Sequence, residues 1–267
     1  MRSIHQVSTT LEQLKMKFNL KKVASGALMA MLLVPGLAFA DNDTKSNSGK
    51  EIKSGASFCT RINSVEQRIA DQITKAETKQ STHQGERLDK ITKKESEVDA
   101  KRAQGRGEAD TKRVKNWEKM LGKAKTDTQK VAIEAYKTSI STAVSTRRTA
   151  VDTAVKAYRD GLAGVLASHN AKIATAVATF KASMDTAVAK AKADCASGVA
   201  SDIAKNTFNK SVSDARTALQ TARKNAEASS GITALKKTRN DAVELAVANF
   251  KTATEKARAD LMLILKK

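Results

Sequence analysis

The chain has 267 residues, 40% hydrophobic but only 3% aromatic, and it carries 48 Lys+Arg against 28 Asp+Glu, a formal net charge of +20. Its apolar residues are mostly Ala and Val, which bury little area each; this excludes a thick globular core and favours long, thin helices packed two or three deep. With a single proline, Pro35, and no alternating β-branched or aromatic runs bounded by turns, the chain reads as all-α. The expected fold is a long antiparallel helical hairpin, or an elongated three-helix bundle or coiled coil.

Residues 1–40 read as an address. Lys17, Lys21 and Lys22 precede an apolar run from Val23 to Val34, Pro35-Gly36 ends it, and Ala38-Phe39-Ala40 supplies a small-x-small cleavage pattern. Cleavage after Ala40 would leave Asp41 at the new N-terminus, and Met16 is expected to be the true start. The run is short for a membrane span of about 20 residues. This segment predicts export to a periplasmic or extracellular location by a bacterial-type signal peptide. Without residues 1–40, 43 basic and 27 acidic side chains remain, a net +16. Residues 41–57 lack apolar periodicity and read as a flexible linker.

Residues 58–267 form the expected helical domain, with arms at about 59–121, 126–195 and 199–267. The first arm is poorest in large apolar residues between 77 and 113 and holds Gly105 and Gly107, so fraying is expected there. Gly122 and the polar turn that follows end it, and Thr126-Asp127 signals the next start. In the second arm three blocks of 22 residues align without gaps, at 132–153, 154–175 and 176–197. Tyr136, Tyr158 and Phe180 share one position in them, and Phe250 recurs in the same A-[VI]-x-x-[FY]-[KR] context. Twenty-two residues over six turns is about 3.67 per turn, so the apolar stripe runs nearly straight along the helix.

The position of Val151 and Ile173 in this repeat is Cys195 in the third block. The only other cysteine is Cys59, at the start of the first arm. A hairpin turning near residue 127 brings the two level. In an oxidising compartment they are expected to form a disulfide across the open end. "ASSG" at 228–231 interrupts the third arm as a kink or a turn. "ADLMLILKK" at 259–267 reads as bundle core, with membrane contact or self-association as alternatives.

No catalytic, cofactor-binding or metal site is expected. His5, His83 and His169 are scattered, and phosphate-binding loops, nucleophile elbows and zinc motifs are missing from the sequence. The resulting expectation is an exported, non-enzymatic structural or binding protein of the cell envelope. Its expected partners are polyanionic envelope components or other envelope proteins, met through dispersed positive charge. A periplasmic holdase is the alternative reading. Extracellular nucleic-acid binding, weak membrane-surface contact and homo-oligomerisation follow behind.

Overall fold

The computed structural model describes residues 57–266. The expected leader, with Met16, Ala38 and Ala40, and the expected linker from Asp41 to residue 56 lie outside the described residues. Four helices account for nearly everything described: α1 (Phe58–Leu121), α2 (Asp127–Ala196), α3 (Ser201–Asn225) and α4 (Ser229–Leu265). Strands are absent among the described residues. α1 and α2 occupy the stretches read as the first two arms, while the third stretch holds two helices. None of the helices is long and apolar enough to cross a membrane.

The helix ends follow from local chemistry. Gly122 N–H donates to the Glu118 carbonyl (2.9 Å) as α1 stops. The Thr126 hydroxyl then accepts from Gln129 N–H (3.2 Å), and the Gln129 side chain accepts from Lys125 N–H (2.8 Å). This reciprocal pairing satisfies donors that a helix start leaves open. At the other end of α2, Gly198 adopts φ +81°, a conformation that only glycine takes cheaply. Val199 N–H reaches the Asp194 carbonyl and Gly198 N–H the Cys195 carbonyl, which is the Schellman pattern.

The chain divides into two compact units, residues up to Gln80 and residues from Ser81 onward. In the first, α1 buries Phe58, Ile62, Val65, Ile69 and Ile73, a stripe of one residue per turn. Both cysteines are disulfide-bonded; since the chain has two, the bond is Cys59–Cys195. Cys195 is half-buried, nearer the edge of the stripe than its counterpart Ile173.

The second unit is a helical bundle. Its core follows an eleven-residue register, half of the repeat visible in the sequence. Counted from Tyr136, every buried residue of α2 falls at offset 0, 4, 7 or 8 of an eleven-residue cycle, from Ile133 to Ala191. The offset-0 positions are Tyr136, Arg147, Tyr158, His169, Phe180 and Ala191, so a ring alternates with another residue type. The partner helix fills the alternate layers the other way round. Arg147 stacks on Phe250 at 4.1 Å, and Arg239 stacks on Tyr158 at 4.8 Å. The sequence repeat is 22 residues because a ring returns only every second cycle.

α2 packs closely along α3 and α4. Small residues permit this: a Cβ on Gly161 would lie 2.5 Å from the Leu235 side chain, and one on Gly231 would lie 3.3 Å from Val165. One step further along, His169 Nδ1–H donates to the Ala226 carbonyl (2.5 Å). Gly161–Leu235, Val165–Gly231 and His169–Ala226 descend one antiparallel register. The break at residues 226–228 is therefore a kink in one continuing arm and leaves its direction unchanged. It takes in Ala228, the first residue of the "ASSG" segment, and Ser229 to Gly231 begin α4.

The tail is only partly core. Leu261 is buried and Ile264 half-buried, but Met262, Leu263 and Leu265 are exposed. Trp117 packs with Tyr136 and Phe250 around Ile140, Val144 and Ala257.

Candidate functional site

The eleven-residue register also runs through α1, where its content changes sign. Positions in step with Phe58 and Ile69 are Gln80, Ile91, Arg102 and Arg113. Those in step with Ile62 and Ile73 are Gln84, Glu95, Arg106 and Trp117. Between residues 81 and 113 the inward positions are thus largely polar, and the α1 backbone stands off from α2 instead of packing closely on it. Long side chains bridge the gap.

Three of these bridges are bidentate. Arg159 donates to both oxygens of Asp99 (2.8 and 2.9 Å), Arg106 to both of Asp152 (2.8 and 2.8 Å), and Arg148 to both of Asp110 (3.0 and 2.8 Å). The same guanidinium groups tie into backbone: Arg159 donates to the Glu95 carbonyl and Arg148 to the Arg106 carbonyl. Arg102 lies 3.3 Å from Asp99 and 3.5 Å from Asp152, and Arg113 pairs with Asp110. Parallel two-point bonds of this kind need the planar guanidinium; lysine could not substitute. Asp99, Arg102, Arg106, Asp152 and Arg159 line a cavity of about 340 Å³.

The electrostatics follow from these contacts. The hydrogen bond from Arg159 holds the Asp99 carboxyl below its ordinary value, and that from Arg106 does the same for Asp152. Burial pushes Arg113, Arg147 and Arg148 down, with repulsion among the arginines adding to it. Arg159 is raised by its bond to Asp99. Carboxylates pinned as anions are acceptors only and are poor proton donors near neutral pH. The arrangement is suited to joining two helices across a wide spacing, and its arginines are largely engaged by their own carboxylates.

The residues singled out in the sequence are dispersed. Tyr136, Tyr158 and Phe250 are half-buried and Phe180 is buried, all in packing positions, and Cys59 and Cys195 form the disulfide. A second, more apolar cavity of about 620 Å³ lies between α2 and α3, beside Thr175, Phe180, Ala218 and Ala222. Among the described residues, no group of three His, Cys, Asp or Glu is placed to hold a metal ion. The seam itself was missed in the sequence. Extending the one-per-turn stripe from Phe58 leads to Arg102, Arg106 and Arg113 and so marks the inward face, but it does not reveal their partners Asp99, Asp110 and Asp152.

The two basic residue types separate in space. Of the 13 arginines among the described residues, 10 are half-buried, whereas 22 of the 26 lysines are exposed. Arginine serves the interior contacts and lysine forms the outer charge. Comparison of the chain with protein-family models, with curated proteins and with solved structures gave no match.

Proposed function

We propose that this chain is an exported, non-enzymatic helical binding protein that associates electrostatically with anionic polymers or surfaces of the cell envelope. The observation that carries this reading is the partition of basic residues. With Arg106, Arg148 and Arg159 held in bidentate pairs by Asp152, Asp110 and Asp99, the charge offered outward comes mainly from exposed lysines spread over all four helices. Lysine is a compact, hydrated point charge that attracts anions at a distance without imposing a shaped site. The Cys59–Cys195 bond is consistent with an oxidising compartment. Against a holdase role weighs the polar inner face at Gln80, Gln84 and Arg87, where a client-gripping arm would need apolar side chains.

Co-sedimentation with an anionic wall polymer over a salt series tests the proposal. Binding at low salt should weaken steeply between about 50 and 200 mM, as counterion release requires for a contact made of many lysines. Absence of binding at the lowest salt would reject it.

A further inference from the structure

Four of the large apolar residues that remain exposed gather at one end of the second unit. Val131 is 69% exposed, Met262 41%, Leu263 67% and Leu265 36%. The register that sets Ile140 beside Ala257 places Val131 level with the last turn of α4. These residues are not on a loose tail, because α4 is helical through Leu265 and Leu261 anchors it in the core.

The surrounding charge is basic. Lys119, Lys123, Lys125 and Lys266 are exposed there. The neighbouring carboxylates are mostly engaged: Asp127 by Lys130, Glu134 by Lys137 and Asp260 by Lys256. Lysines that end a helix complement its dipole. That accounts for Lys119 and Lys266 but not for Lys123 and Lys125, which lie in the turn after α1.

We infer that this end is a docking surface for anionic lipid membranes, with Met262, Leu263, Leu265 and Val131 entering the interface while the lysines meet the headgroups. The inference rests on the proposed association with anionic envelope surfaces and names which surface and which part of the protein. A soluble polyanion would engage the lysines and leave Leu263 in water; a lipid interface takes both. Because none of the described helices is long and apolar enough to cross a membrane, the contact of this end is interfacial.

The test compares the purified chain with the Met262→Asp/Leu263→Asp variant on three probes: vesicles containing phosphatidylglycerol, vesicles of phosphatidylcholine alone, and soluble polyphosphate. The wild-type chain should bind the anionic vesicles at about 150 mM salt. The variant should lose about tenfold or more of that affinity while binding polyphosphate within about twofold of wild type. Trp117, the only tryptophan, packs close to this end, so brominated lipid should quench it on docking. Val131→Asp, on a different helix, should act in the same direction and guards against a folding defect in the double variant.

Equal vesicle binding by wild type and both variants would overturn the inference, as would wild-type binding to polyphosphate but not to vesicles. A wild-type dimer that the double variant converts to monomer would overturn it too, assigning the patch to a second copy of the chain. Failure to bind any probe would instead reject the electrostatic reading beneath it.

Discussion

Replacing Asp152 by Asn tests whether the Arg–Asp seam holds the 81–113 stretch of α1 to α2. The amide removes the charge that Arg106 grips at 2.8 Å through both nitrogens, and leaves Arg102, Arg106 and Arg148 with one counter-charge fewer. Asp152 is 46% exposed and Arg106 28%, so solvent screens the pair and its own coupling is about 0.5–1 kcal/mol. Unrelieved repulsion among the arginines adds to this, for a total of about 1–2 kcal/mol. In a domain of this size that lowers the melting temperature by about 2–4 °C per kcal/mol. A double-mutant cycle with Arg106→Met isolates the coupling. The sign with pH is fixed. Asp99 and Asp152 have folded values below their unfolded ones, so their contribution is present above the ordinary carboxylate value of about 3.9 and disappears as pH falls through the folded values. Melting should therefore decline below about pH 4–5, and Asp152→Asn should flatten that decline. If Asp152→Asn melts with wild type and keeps the full acid slope, the seam does not hold these helices together.

Further outcomes follow from the packing. Gly164→Ala, where an added Cβ meets nothing within 4 Å, should stabilise the chain by up to about 1 kcal/mol in urea melts. Gly161→Ala should fail to, because the Leu235 methyl must move from 2.5 Å. Reducing Cys59–Cys195 releases a loop of well over a hundred residues, and urea titration with and without reductant should register a loss approaching about 4–5 kcal/mol. His169→Leu leaves the Ala226 carbonyl without its side-chain donor. It should cost about 1–3 kcal/mol and speed amide exchange first around residues 222–228.

Much of the fold was legible because periodicity and punctuation agree. The turn after Gly122, the Thr126 cap and Gly198 each bear the chemistry their positions demand, and the 22-residue alignment sets Cys195 on the inward stripe, level with Cys59. The seam was not legible for a physical reason. Asp99, in "KKESEVDAKR", looks like one more charge on a solvated helix face. Only its partner Arg159, sixty residues away, makes it an interior contact. Local composition does not report which charges face each other, so the scarcity of large apolar residues that suggested fraying at 77–113 took no account of arginine as a spacer. α1 instead runs unbroken through Gly105 and Gly107. The kink was legible at "ASSG" to within two residues, although residues 226–228 themselves carry neither glycine nor proline.

The alternation of rings and arginines between α2 and α4 constrains how such a chain can change length. Deleting eleven residues from α2 ahead of Arg147 would keep its apolar stripe in phase, yet it would bring Tyr158 opposite Phe250 and His169 opposite Arg239. Removing 22 residues between Arg147 and Phe180 keeps the stripe, leaves Arg147 on Phe250 and brings Phe180 opposite Arg239. Insertions and deletions in α2 that preserve this interface are therefore quantised in units of two layers, and a change in one helix must be matched at the same level in the other.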